Sequence, residues 1–308
     1  MDRAIIISNG RCGSTLLSEL IAEEPETCSV QEFFMAVTPW SRSAEVVSAA
    51  DYWKFLSAPK AELSVLFRIG VPPKEFRYPA DGRYAGDLQN LPHILAILLP
   101  KLTDDPDALF DTLAERIRDF PTQRIGAHHQ QFLDLLSTLT GKKRWVERSG
   151  GSSQIAPALL ENFPTAKIVN LTRDWTASAR SMSKHPSFQL VQLRVEAIGR
   201  FGIDPLTAPA DSGLPEEYHP SRITAEFLHE RGQDFKRFLG LCAFMSSQAD
   251  QALADHPPAE LHTMTYEELI ADPVTSLTEL GQFLGFADAP GWAVSVADRV
   301  RKPVAALA

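Results

Sequence analysis

Ser8-Asn9-Gly10-Arg11-Cys12-Gly13-Ser14-Thr15-Leu16 is the stretch that decides the fold. It follows residues 3–8 (RAIIIS), a short β-branched apolar run that reads as a buried strand. It leads into residues 14–24 (STLLSELIAEE). There Leu16, Leu17, Leu20 and Ile21 fall on one helical face, and Pro25 ends the pattern. Strand, glycine-containing turn and helix together open an α/β unit.

The turn has the chemistry of an anion site. Gly10 and Gly13 let the backbone bend tightly and approach a ligand. Successive N–H groups at a helix mouth attract negative charge, and the helix dipole adds to them. Ser14 and Thr15 add hydroxyl donors, and Arg11 adds a permanent positive charge. A plain strand-to-helix turn capped by Ser14 would have the same glycines. Two other anion loops do not fit. No lysine precedes the serine as in Gly-x-x-x-x-Gly-Lys-Ser/Thr, and Gly-x-Gly-x-x-Gly is absent.

Outward from this loop, periodicity predicts helical segments over 43–70, 91–99, 105–119 and 122–140, then a strand at 144–148 (RWVER) and a helix over 152–163. Residues 167–172 (KIVNLT) are the clearest second buried strand, with a helix over 174–184. A long helix is expected over 221–255 with Ser221 as N-cap. A strand at 260–266 and a helix over 273–285 ending at Gly285 follow. Residues 71–90 are rich in Pro and Gly, and 185–220 carry five prolines, so both read as irregular cap segments. Alternating strands and helices favour a parallel sheet covered on both faces. Ligands of such sheets bind beyond the carboxyl ends of the strands.

The chain has 308 residues, 44% of them hydrophobic and 22% charged, enough for a core in one domain spanning 1–308. A net charge of −9 argues against nucleic acid as partner. Cys12, Cys28 and Cys242 have neither disulfide nor metal-ligand spacing, which suits a reducing, cytoplasmic setting. No apolar run approaches the roughly 18 residues of a membrane span, and Ala4–Ile7 is too short for a signal peptide. A homodimer is compatible with the sequence.

The segment Arg11-Cys12-Gly13-Ser14-Thr15-Leu16-Leu17 resembles the first loop of sulfotransferases that use 3′-phosphoadenosine 5′-phosphosulfate (PAPS), Arg/Lys-Ser-Gly-Thr/Ser-Thr/Ser plus apolar residues. Cys12 replaces the usual serine. Asn170-Leu171-Thr172-Arg173-Asp174-Trp175, with Ser181 eight residues after Arg173, is similar to the family's grip on the donor's 3′-phosphate. Met264-Thr265-Tyr266-Glu267-Glu268-Leu269, Asp272-Pro273 and Phe283-Leu284-Gly285 resemble its late pattern. Arg299, Arg301 and Lys302 stand where its Arg-Lys-Gly loop reaches the same phosphate, with Pro303 in place of the glycine. The resemblance implies an α/β fold, a three-layer P-loop-like parallel sheet flanked by helices with a mostly helical, irregular substrate cap near 71–90 and 185–220. It implies a donor site of Gly10, Arg11, Cys12, Gly13, Ser14, Thr15, Leu16, Arg173, Ser181, Arg301 and Lys302. The implied reaction moves a sulfuryl group from PAPS to a hydroxyl of a small-molecule, carbohydrate or lipid acceptor, with no metal.

Such transfer needs a charge at the sulfuryl group and a base at the acceptor. Arg11 suits the first role; its pKa is too high for an acid. For the base, Gln31-Glu32-Phe33-Phe34 resembles a segment of bacterial trehalose sulfotransferase in which the Glu acts so, and aromatic neighbours would desolvate Glu32. Glu147, in Trp145-Val146-Glu147-Arg148-Ser149-Gly150, looks like the strand-end Glu-Lys-Ser/Thr of carbohydrate sulfotransferases. Either glutamate can instead form a salt bridge. His93, His128, His129 and His185 are weaker candidates. Phe76, Tyr78, Tyr84, Arg68, Arg77 and Arg83 either bind the acceptor or pack the loop 71–90. The competing readings are an ATP-dependent small-molecule kinase of the P-loop type and a relative that binds nucleotide without chemistry.

Overall fold

Five parallel strands carry the fold: β1 (Asp2–Ser8), β2 (Thr27–Gln31), β3 (Arg144–Arg148), β4 (Lys167–Thr172) and β5 (Leu261–Thr265). The computed structural model describes residues 1–39, 43–209 and 211–300. The strand order is β2-β3-β1-β4-β5, and every neighbouring pair is parallel. The chain leaves β1 toward one edge of the sheet and later builds the other edge. The order therefore reverses at β1, and its carboxyl end is the switch point where ligands of such sheets lie.

Alternation along β1 explains the layering, because successive side chains take opposite faces. Ala4 and Ile6 join Val146, Val169 and Leu171 in one apolar cluster. Over it lie α1 (Ser14–Ile21), through Leu17, Leu20 and Ile21, and two late helices, Pro273–Leu284 and Ala289–Ala297, through Leu277, Leu280, Leu284 and Trp292. On the other face the helix Ile125–Leu139 is tied to β3 by the Trp145 indole N–H, which donates to Asp134 (2.9 Å). The result is the three-layer α/β arrangement expected from the sequence.

The chain forms two compact units. The first, residues 1–48, 120–174 and 245–308, holds the sheet. The second, residues 49–119 and 175–244, is helical. Its helices Ala61–Arg68, Pro186–Phe201 and Ala225–Gly232 share a core that includes Leu66, Leu190, Leu193, Tyr218 and Leu228. Among the described residues no helix is long and apolar enough to cross a membrane.

Several expected elements differ. Residues 43–70 hold two helices, Ala49–Leu56 and Ala61–Arg68. The stretch expected to be irregular contains the 16-residue helix Pro186–Phe201, because Pro186 takes the first helical position, where a missing N–H costs nothing. The long helix of 221–255 is three pieces: Ala225–Gly232, a short turn Phe235–Phe238 and Leu239–Leu253. Its first piece is capped by Thr224, whose hydroxyl accepts from Phe227 N–H (3.1 Å), and not by Ser221. Strand β2 had no sequence signal.

Candidate active site

The loop 8–16 leaves the carboxyl end of β1. Gly10, Arg11 and Gly13 all take positive φ (77°, 56° and 86°). Gly13 is required twice over. Its φ suits glycine, and a Cβ there would lie 2.4 Å from Cδ2 of Tyr266. Leu17 N–H donates to the Gly13 carbonyl (3.0 Å) and starts α1. Cys12 is fully buried in the apolar cluster with Ile6 and Leu17, and burial raises its thiol pKa. The side chain at this position thus packs beneath the loop, where a small apolar group is adequate.

Tyr266 opens the short helix Tyr266–Ala271 directly after β5. Thr265 and Glu268 form a capping box that fixes this helix start. The Arg173 guanidinium, at the carboxyl end of β4, sits 4.5 Å over the Tyr266 ring. Its Nη1 donates to the Arg11 carbonyl (2.9 Å), while its buried Nε has no protein partner. Loop, arginine and tyrosine therefore make one assembly at the ends of β1, β4 and β5. Tyr266 matters more here than its motif suggested, since sequence shows only a tyrosine after a strand.

A second assembly lies at the ends of β2 and β3. Glu32 holds φ 60° and precedes the short helix Phe33–Ala36. Its Oε1 accepts from Nη1 of Arg148, and its two carboxylate oxygens accept from Gly150 N–H at 3.3 and 3.1 Å. Arg148 is fully buried; its Nη2 also donates to Gln31 Oε1 (3.0 Å). The Glu32 side chain stays 14% exposed. Phe33 and Phe34 turn inward onto Phe132 and Phe163, so the groups touching the carboxylate are Arg148 and Gly150.

Glu147 lies fully buried. Its Oε1 accepts from Phe33 N–H (3.0 Å), Phe34 N–H (3.2 Å) and the Ser149 hydroxyl (2.6 Å), while Oε2 has no partner. Burial pushes its pKa up to about 8 against these hydrogen bonds. Serines link the two assemblies: Ser8 Oγ donates to the Ser149 carbonyl (3.3 Å), and Ser8 N–H donates to Ser152 Oγ (3.0 Å).

In fold, the chain is similar to sulfotransferases. The sulfotransferase domain from the curacin biosynthetic pathway shares 15% identity with it over 92% of this chain and 73% of its own, with TM-score 0.45. Sulfotransferase STF9 from Mycobacterium avium shares 14% over 98% and 69%, with TM-score 0.48. The sulfotransferase domain of the Synechococcus PCC 7002 olefin synthase shares 16% over 94% and 76%, with TM-score 0.43. No family model and no curated protein matches the sequence.

Ser181 is half-buried in the helix Trp175–Met182 of the second unit. Arg301 and Lys302 lie outside the described residues. His128 and His129 are buried in the first unit, where His128 Nε2 lies 3.1 Å from the Val47 carbonyl. His93, in the second unit, is pushed down to about 4 by burial.

Proposed function

We propose that the chain is a PAPS-dependent sulfotransferase acting on a hydroxyl acceptor. One observation carries this reading. Among the described residues, Arg11 and Glu32 are the non-glycine residues with positive φ. Each such conformation costs about 1–2 kcal/mol, and strain of this kind persists where surrounding structure enforces it. These are the two residues whose chemistry fits charge stabilisation and proton removal. Both stand at the carboxyl edge of the sheet.

In the proposed reaction the loop N–H groups and Arg11 hold the sulfuryl group and the phosphate it leaves. Arg173, steadied on Tyr266, takes the donor's 3′-phosphate; Ser181, Arg301 and Lys302 join it by resemblance alone. Arg148 and Gly150 N–H orient Glu32, which accepts the acceptor's O–H proton. The acceptor oxygen then bonds to sulfur, and the sulfur–oxygen bond to the 5′-phosphate breaks with its electron pair on the phosphate. Glu147 serves Glu32 from below by capping the Phe33–Ala36 turn.

Thermal stability in the presence of adenosine 3′,5′-bisphosphate (PAP), against ATP with Mg²⁺, tests the donor. Stabilisation by PAP is expected. Stabilisation by ATP–Mg²⁺ alone would sink the reading in favour of a kinase. PAP binding without sulfuryl transfer to any alcohol in a broad panel would favour a non-catalytic relative.

A further inference from the structure

The loop 8–16 is held by side chains from later parts of the chain. Among the described residues, the N–H groups of Gly10, Cys12 and Gly13 donate to no carbonyl or side-chain oxygen. The reaction proposed above assigns these groups to the sulfuryl and phosphate oxygens, so their directions decide how well an anion is held. Gly10 has φ 77° and Arg11 has φ 56°. Glycine takes either sign of φ about equally, so Gly10 does not fix its own turn. Its surroundings must fix it.

After Gly10, Arg173 grips the Arg11 carbonyl and Tyr266 rests on Gly13. Before it, Ser8 N–H donates to Ser152 Oγ, and the Ser8 carbonyl accepts from the Ser153 hydroxyl (3.1 Å). Asn9 directly precedes Gly10 and is buried. Its Nδ2 donates to Ser246 Oγ at 2.6 Å, a bond that spans 237 positions of sequence. Ser246 is also buried and belongs to the helix Leu239–Leu253. Met245, one residue earlier on that helix, lies over the turn that serves Glu32. A Cβ on Gly151 would stand 3.3 Å from the Met245 methyl, and the adjacent Gly150 gives its N–H to the Glu32 carboxylate.

We propose that Asn9 and Ser246 are positioning residues for the donor: their bond fixes the chain immediately before Gly10 and so aims the loop N–H groups at the anion. The inference rests on the donor reading given above. Both residues act through the backbone of the loop. Without the bond, Gly10 regains the rest of its φ range and the N–H groups converge for only part of the time. Apparent affinity falls by the fraction of the competent form that is lost. With Met245 over Gly151, one turn of one helix braces both the loop and the peptide that holds Glu32.

The test is calorimetric titration of the full chain with PAP and, separately, with inorganic sulfate, beside melting temperature. Asn9→Ala and Ser246→Ala are each expected to weaken PAP binding about fivefold or more. The double variant should bind PAP no more weakly than the weaker single one, because both substitutions remove the same link. Ser246→Thr keeps the hydroxyl and should recover most of the affinity. If Ser246→Ala does not fold, Asn9→Ser, which shortens the link from the loop side, is read in its place. A lower melting temperature with unchanged PAP affinity in the single variants would overturn the inference and leave a purely structural bond. Losses of affinity that add in the double variant would overturn it as well. If the parent binds sulfate and not PAP, the donor reading fails, and the same variants read against sulfate decide the inference: a fivefold loss keeps it and no loss overturns it. A parent that binds neither overturns both.

Discussion

Arg11 and Glu32 hold left-handed backbone where glycine would sit without strain, so substitution can separate their conformational and chemical contributions. Arg11→Gly keeps the loop geometry. Its melting free energy is expected to stay within about 1 kcal/mol of the parent, because relief of strain opposes added unfolded-state entropy. Sulfuryl transfer should fall by about 10²–10³-fold or more, the loss typical of one charge-stabilising group. Near-normal turnover would remove Arg11 from its assigned role. Glu32→Gln should lower kcat far more than PAP affinity, with a stability loss of about 1–3 kcal/mol from the partner taken from buried Arg148. Glu147 gives a pH signature. Its folded pKa, about 8, lies above the ordinary carboxylate value, so the folded state binds the extra proton. Stability is then greatest below about pH 4.5, falls as pH rises toward about 8, and levels off above it. This contribution should vanish in Glu147→Gln, read as melting temperature against pH. A kcat collapse in that variant, with Glu32→Gln active, would reverse the two glutamates.

At the scale of elements, the site hangs on the packing of Tyr266 between Gly13 and Arg173. Gly13→Ala meets both a positive φ and a 2.4 Å clash with the ring, so it should lower the melting temperature and weaken PAP binding together. Tyr266→Leu removes the ring under Arg173, and PAP affinity is expected to fall by about 1 kcal/mol, roughly fivefold, with the sheet intact. Circular dichroism with calorimetric titration checks both. The sequence made β1, its loop, α1 and β4 legible, because apolar runs bounded by Gly and Pro leave few alternatives. It hid β2, whose five buried residues Thr27-Cys28-Ser29-Val30-Gln31 include three polar ones. Thr27 is satisfied by Glu24 and Ser29 by the Ser18 carbonyl, and such tertiary bonds leave no periodic trace. Prolines read as breakers concealed the helix Pro186–Phe201. Within the site, residue types were legible and conformations were not. Nothing in Gln31-Glu32-Phe33 announces a left-handed glutamate, and nothing in Thr265-Tyr266 announces that the ring will rest on a glycine 253 positions earlier in the chain.

For the whole molecule, ligand linkage is the broadest prediction. PAP at about 100 times its dissociation constant should raise unfolding free energy by about 2.7 kcal/mol, with a melting temperature that climbs with ligand concentration. ATP–Mg²⁺ should not do so. The sheet unit is assembled from residues 1–48, 120–174 and 245–308, so its strands are far from consecutive in synthesis. The loop 8–16 is made some 250 residues before the tyrosine that props it. At about 5–20 residues per second, that interval is tens of seconds. For the part of it before β4 is made, β1 lacks one or both of its sheet partners, β3 and β4, and its run Ala4–Ile7 is an unpaired apolar edge in a nascent chain. Chaperone dependence should therefore concentrate between the synthesis of β1 and that of β4, and ribosome-stalled chains ending before β5 should fail to retain PAP however long they are left to fold.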